Sequence, residues 1–222
     1  MIQRIQFPNP RWAGDDGIVG FGGELHWQNL VEAYRLGIFP WPIDGWPLPW
    51  FCPDKRAILE FSELRIGRTL RRARQRSTLR FTIDEAFERV IRACAGSPRS
   101  DQDGTWITEE MVDSYCDLHR EGWAHSVEAW DGEHLVGGLY GVDAGGAFAG
   151  ESMFHELPGA SKLALLFFID HLASRGLDWI DIQTMTPHME ALGARLVPRG
   201  EFLNRLKETQ KRAVVLFGER GR

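Results

Sequence analysis

The sequence predicts a mixed β-sheet with helices packed on it, of the α/β or α+β class, behind a small N-terminal domain. Three observations carry this. Strand-like segments at residues 124–130, 135–142 and 147–154 are joined by DGE and DAGG turns and read as an antiparallel meander. A long apolar helical stretch at residues 161–173 then leads into the strand-like WIDIQTM, residues 179–185, which makes a βα crossover. Residues 1–55 are rich in Gly, Pro and Trp, which sets them apart from residues 56–222 as a separate domain.

The elements follow in order. Residues 29–36 carry a short helical pattern that stops at Gly37, as a helix C-terminal glycine would. IFPWPIDGWPLPWFCP holds five prolines and reads as a fixed loop with little regular structure. Residues 57–61 look like a strand, 66–76 like a basic helix and 79–82 like a short strand. A helix over 83–95 would have Asp84 and Glu85 in its first turn. GTWITEEMVDSYCDLHREG reads as a helix starting near Thr108, with Thr108 as N-cap. After the meander, Pro158-Gly159-Ala160 opens the apolar helix. A short helix near 188–192 and a final helix and strand follow WIDIQTM. No internal repeat or low-complexity segment is present.

Hydrophobic content of 43% and charged content of 26% are those of a soluble globular chain. The three cysteines, Cys52, Cys94 and Cys116, show no CxxC spacing, which argues against a disulfide framework or a zinc site and fits a reducing compartment. MIQRIQFPNP lacks the apolar core of a signal peptide, and the longest apolar run, 163–169, is too short to span a bilayer. A cytosolic protein is expected.

The net charge of −5 conceals an asymmetry. Residues 64–80 contain seven Arg (65, 68, 71, 72, 74, 76 and 80) and no acid, which leaves 19 basic residues against 31 acids, or −12, elsewhere. Arg65, Arg68, Arg72 and Arg76 recur every three or four residues, so on a helix they form one stripe. Solvated helix faces normally mix acids with bases; this one has none, and Arg suits bidentate phosphate contacts. A nucleic-acid contact is expected there.

Two strands raise a chemical question. In AFAGESMFHE, alternation groups Glu151 with Ala149 and Met153, small and apolar neighbours that leave a carboxylate without a packing reason; pairing with a core Arg is the structural alternative. In WIDIQTM, alternation puts Trp179, Asp181, Gln183 and Met185 on one face and Ile180, Ile182 and Thr184 on the other. A carboxylate and a carboxamide side by side are unfavourable unless hydrogen-bonded. His188-Met189-Glu190 has no third ligand at a sensible spacing, so no metal site is expected. Ser152, His188 and Asp181 could be imagined as a triad, but no GxSxG elbow surrounds Ser152.

In combination, FGGELHWQNLVEAYRLGIFPW, PDKRAIL, DGTWIT, AHSVEAW, LVGGLYGV, FAGESMF, ASKLALLFF, IDIQTMTPHMEALGA and VPRGEFL resemble the leucyl/phenylalanyl-tRNA–protein transferases, in family order from about residue 18 to 204. The resemblance implies an α+β fold, a small N-terminal domain joined to an acetyltransferase-like (GNAT) mixed sheet with flanking helices. It also implies transfer of Leu, Phe or Met from aminoacyl-tRNA to proteins beginning with Arg or Lys, with no cofactor. By that resemblance Glu151, Asp181 and Gln183 lie in the active site. Trp41, Trp106, Leu139 and Met153 line the aminoacyl pocket, and the basic helix, with Arg65, Arg68, Arg71, Arg72 and Arg76, meets the tRNA acceptor stem. WFCPDKR departs from the usual WWSPDPR at Phe51, Cys52 and Lys55, and Leu139 stands where Met is common.

An aminoacyl-tRNA ester is already activated, so an amine held against its carbonyl needs no covalent enzyme intermediate. Gln183, too weakly basic to be a general base, is expected to accept a hydrogen bond from that amine. Asp181 would polarise or orient it, Glu151 would help hold the cationic substrate N-terminus, and the apolar Trp179 and Met185 would suit an aminoacyl side chain nearby. Two alternatives share the residues. An acyl-CoA N-acyltransferase would need a glycine-rich pyrophosphate loop where this chain has HELPGASK. A non-catalytic tRNA-binding protein would bind uncharged acceptor stems with no preference for the amino acid and give no product on an Arg-starting peptide. A monomer that does not engage membranes is expected.

Overall fold

The computed structural model describes residues 4–97 and 106–218. Its first elements are β1 (Ile18–Phe21), α1 (Trp27–Arg35), β2 (Phe39–Pro40), β3 (Pro49–Phe51), β4 (Lys55–Glu60), α2 (Arg68–Arg76), β5 (Arg80–Ile83) and α3 (Phe87–Gly96). There follow α4 (Glu109–Arg120), β6 (Ala124–Asp131), β7 (His134–Asp143), β8 (Phe148–His155), α5 (Ala160–Ser174), β9 (Trp179–Gln183), α6 (Pro187–Ala191), β10 (Arg195–Pro198) and α7 (Arg199–Lys211). Two sheets form, a three-stranded one in the order β1-β3-β2 and a seven-stranded one in the order β10-β4-β9-β8-β7-β6-β5. The large sheet is antiparallel except for β8 and β9, which run parallel across the α5 connection. This is a mixed α+β architecture.

The meander forms where turn chemistry and alternation agree. Gly132 turns β6 into β7 at φ 57°, a left-handed conformation that glycine adopts freely. At the next corner, Asp143 accepts the backbone N–H groups of Gly145 and Gly146 at 2.9 and 2.6 Å. Adjacent glycines on β7 point to opposite faces and let a helix close on each. A Cβ on Gly137 would lie 2.7 Å from the Ala160 Cβ of α5, and one on Gly138 would lie 3.3 Å from Val90 of α3. Nine of the fifteen α5 residues are buried, which is why its sequence is apolar almost all round. On α4, Thr108 caps as expected, its hydroxyl accepting Met111 N–H at 3.2 Å.

Several elements differ from expectation. The five-proline stretch contributes β2 and β3, because prolines at strand ends and edges leave the remaining amides free to pair. The helix expected over 83–95 begins only at Phe87. Asp84 sits at φ 63°, outside any helix, and its carboxylate takes Ser126 N–H at 2.9 Å and His125 Nδ1 at 2.7 Å. The basic helix starts at Arg68, not at 66, so Arg65 precedes it. The closing elements come in the reverse order, strand β10 before helix α7. WIDIQTM is a strand only to Gln183, whose φ of 65° ends it and leaves Thr184 and Met185 outside.

Candidate active site

The two polar strands meet at the parallel pair in the sheet. Ala149 on β8 lies opposite Asp181 on β9, so two residues further along each strand Glu151 arrives beside Gln183. Each strand also carries a bulge there. On β8, Tyr140 faces Ser152 and Gly141 faces Gly150, which leaves Glu151 as the extra residue. On β9, Ile58 faces Asp181 and Ala57 faces Gln183, which leaves Ile182 as the extra one. A bulge bends its strand and re-aims the neighbouring side chain, and these two coincide at the polar cluster. Gln183 is therefore off the simple alternation that grouped it with Asp181.

Asp181 finds its partner inside the chain. Arg56 on β4 is its diagonal cross-strand neighbour, and Nε and Nη2 of that guanidinium donate to Oδ1 and Oδ2 at 2.8 and 2.7 Å. Oδ1 also accepts Gln183 N–H at 2.9 Å. Both side chains are buried, and the guanidinium carbon lies over the rings of Phe39 and Phe202, 4.6 and 4.5 Å from their centroids. Burial opposes the charge on Arg56, but Asp181 more than offsets it and raises its hold on the proton. The core Arg suggested for Glu151 thus pairs with Asp181 instead.

Glu151 takes Gln183 Nε2 on Oε1, and Tyr115 Oη donates to its Oε2 at 3.4 Å. The Tyr115 hydroxyl in turn hydrogen-bonds that of Tyr34 on α1, and both phenols are buried. Burial, joined by the nearby Glu151 charge, pushes both tyrosines well above their ordinary range, so they remain protonated. Burial also pushes the Glu151 carboxyl up to about 7; hydrogen bonds from Tyr34 and Gln183 restrain the rise. Arg56, Tyr34 and Tyr115 were not singled out from the sequence. A signal for Arg56 existed: strand alternation puts it on the same face as the core residue Ile58, where a cation calls for a buried carboxylate.

The expected pocket residues form two pairs. Trp41 stacks on Trp106 with centroids 4.9 Å apart and planes 14° from parallel. Leu139 lies opposite Met153 across β7 and β8. The first three residues of DGTWIT, 103–105, lie outside the described residues. Trp179 does not join either pair. It is buried against α7, where its Nε1 donates to Thr209 Oγ1 at 3.0 Å and its ring packs on Phe202.

The arginines divide cleanly. Arg65, Arg68, Arg71, Arg72 and Arg76 are exposed and, among the described residues, none of them forms an ion pair, whereas Arg74 pairs with Asp170 and Arg80 with Glu85. Leu70 and Ala73 turn α2 inward, and α2 packs on α5. Arg65 is anchored by its own N–H to Leu192 O at 2.8 Å, next to Gly193. Gly193 has φ 102°, and a Cβ there would lie 2.2 Å from Glu63 O, so the LGA glycine admits the basic segment's backbone.

Away from this site, Asp84, His119 and His125 place possible metal-ligand atoms within 4.8 Å of one another. His119 Nδ1 already meets Ala124 O at 2.8 Å, and His125 Nδ1 meets Asp84. Two cavities of about 450 and 500 Å³ open elsewhere on the surface, one beside Asp84, His119 and Trp130, the other between Phe7, Arg35 and Lys207. Among the described residues, Glu151, Asp181 and Gln183 line neither. No helix among the described residues is long and apolar enough to cross a membrane.

Comparison with known proteins bears on this arrangement. Residues 58–207 match the sequence profile of the leucyl/phenylalanyl-tRNA protein transferase family, and residues 23–54 match that of its N-terminal domain. Proteins named leucyl/phenylalanyl-tRNA–protein transferase include one from Anaeromyxobacter sp. (strain Fw109-5), 49% identical over 92% of this chain and 87% of the relative. One from Anaeromyxobacter dehalogenans (strain 2CP-C) is 50% identical over 90% and 86%, and one from Pseudoalteromonas atlantica 46% identical over 93% and 89%. A solved structure titled "The structure of L-PGS from Bacillus licheniformis" superposes at a TM-score of 0.39, with 12% identity over 70% of this chain and 49% of that one, too slight a likeness to bear on the fold. The profile match spans the strands that carry Glu151, Asp181 and Gln183, and with relatives this similar along nearly the whole chain, the protein belongs to the leucyl/phenylalanyl-tRNA protein transferase family.

Proposed function

We propose that this family member moves Leu, Phe or Met from charged tRNA to the α-amine of proteins beginning with Arg or Lys, the tagging step of N-end rule degradation. It acts in the cytoplasm as a monomer, with a small N-terminal domain at 1–55 and an acetyltransferase-like (GNAT) catalytic domain at 56–222. The parallel β8/β9 pair beside the antiparallel meander supports the GNAT reading. The exposed arginines of α2 support a tRNA contact.

In the reaction the amine nitrogen attacks the ester carbonyl, a C–N bond forms, and the C–O bond to the ribose breaks. The amine proton leaves with the departing ribose oxygen. Because the ester is activated, orientation supplies much of the acceleration, several kcal/mol by about the range known for intramolecular reactions. The contact between Gln183 Nε2 and Glu151 Oε1 carries the assignment. With Nε2 facing the carboxyl, Oε1 is the end of the amide left to accept a hydrogen bond from the attacking amine. Glu151 orients that amide and adds negative charge for the cationic side chain of the substrate's N-terminal Arg or Lys. Asp181, neutralised by Arg56, works on geometry and holds the Gln183 backbone. The Trp41–Trp106 stack and the Leu139–Met153 pair enclose the aminoacyl side chain.

The test offers Leu-, Phe- and Met-tRNA separately to peptides beginning with Arg, Lys and Ala. Product on the Arg and Lys peptides, none on the Ala peptide and none from acetyl-CoA is expected. Equal product on the Ala peptide, or none from any charged tRNA, would overturn the proposal.

A further inference from the structure

Arg56 is buried beside the site, and the proposed chemistry uses it only to neutralise Asp181. Arg56 comes from β4, at the junction of three parts of the fold. Its guanidinium carbon lies over the rings of Phe39 of the small sheet and Phe202 of α7, and its two hydrogen bonds run to β9. A fully buried ion pair is a poor device for stability, since apolar replacements of the same volume commonly do as well or better. What a bidentate Arg–carboxylate pair does supply is a fixed carboxylate plane. Its third nitrogen, Nη1, is buried with no hydrogen-bond partner among the described residues.

The carboxylate so fixed has one further task. Asp181 Oδ1 accepts Gln183 N–H, and Gln183 holds a left-handed backbone that a non-glycine residue adopts only when its surroundings impose it. That backbone turn, one residue past the Ile182 bulge, is what directs the carboxamide toward Glu151. A carboxylate free to rotate could still accept one hydrogen bond, but it would no longer define the turn.

We propose that Arg56 is a positioning residue for transfer, clamping Asp181 so that the left-handed turn keeps the Gln183 carboxamide in line with the substrate amine. The inference rests on Gln183 being the group that meets that amine. Arg56 itself touches neither substrate nor the reacting atoms. Its contribution therefore belongs in kcat and not in the affinity for either substrate.

Three variants test it by steady-state transfer from Phe-tRNA to an Arg-starting peptide, beside unfolding curves. Arg56→Lys keeps the charge and loses the fork; kcat should fall about 30- to 100-fold, with both KM values within about twofold of wild type. Arg56→Ala leaves a space beside Phe39 and Phe202, and ethylguanidinium should restore at least about tenfold of its lost kcat. Arg56→Met combined with Asp181→Asn removes both charges, so it folds without an unpaired ion should Arg56→Ala fail to fold; it should remain slow in kcat alone. Full kcat in Arg56→Lys or in the double variant overturns the proposal, as does a loss that tracks the unfolded fraction or KM and is not regained with ethylguanidinium. Gln183→Ala separates the two levels: normal transfer by that variant removes the site reading itself. Slow transfer by it beside a fully active Arg56→Lys removes only the role of Arg56.

Discussion

Gln183 Nε2 donates to Glu151 Oε1 across the parallel pair of strands, and the carboxyl that receives it is raised to about 7 by burial. A carboxyl raised on folding stabilises the protein at low pH, where it is protonated in both states. That stability is lost as pH climbs from the ordinary carboxylate range through about 7, because the folded state must then bury a charge. Glu151→Gln has no charge to bury. Its unfolding temperature relative to wild type should increase between pH 5 and pH 8.5, by a few degrees at about 2–4 °C per kcal/mol. A difference that stays constant with pH would contradict the burial of this group.

The division among the arginines sets a second expectation. Arg68, Arg72 and Arg76 are exposed without ion-pair partners among the described residues, so together they should account for measurable phosphate contacts. The triple change to Ala should weaken tRNA binding and flatten its salt dependence by roughly 2–3 in the log–log slope. Arg74→Ala and Arg80→Ala remove arginines that Asp170 and Glu85 already neutralise, and should alter affinity by less than about twofold. Filter binding at several salt concentrations decides it; equal effects from both groups would make the stripe an ordinary solvated face.

Donor choice should respond to the cross-strand pair Leu139 and Met153. Leu139→Phe fills space opposite Met153, which should disfavour a Phe side chain relative to Leu by roughly 10-fold or more in kcat/KM. Competition between Leu- and Phe-tRNA measures this, and an unchanged ratio would place the pocket elsewhere.

A stability prediction is independent of the site. Ala213 follows α7 at φ 49° and is exposed, in the left-handed position where helices favour glycine. Ala213→Gly should stabilise the fold by up to about 1 kcal/mol, the left-handed penalty less the entropy that glycine adds to the unfolded chain. Thermal unfolding should show a rise of roughly 2–4 °C. A lower transition temperature would contradict it.

Much of this was legible from residue order alone, for physical reasons. Turn chemistry and period-2 patterning act over a few residues, so the β6–β8 meander and the α4 cap could be read directly. Glu151, Asp181 and Gln183 stood out because polar groups in apolar strands demand partners. The partners themselves were hidden. Arg56 is 125 residues from Asp181, and only the sheet order, with β9 between β4 and β8, makes them neighbours. The bulges at Glu151 and Ile182 were equally hidden, since each depends on register with another strand. Asp84 misled for a local reason: an acid suits the first turn of a helix, but this one lies ahead of α3 and turns away to hold Ser126 and His125.

The central claim is that the Gln183 carboxamide positions the attacking amine. Single-turnover transfer from Phe-tRNA to an Arg-starting peptide, with enzyme in excess, tests it most directly when wild type is set beside Gln183→Ala. The variant should bind Phe-tRNA within about twofold of wild type and form the peptide bond roughly 100-fold more slowly, the scale set by lost orientation. Peptide-bond formation at the wild-type rate by a folded Gln183→Ala would contradict the account.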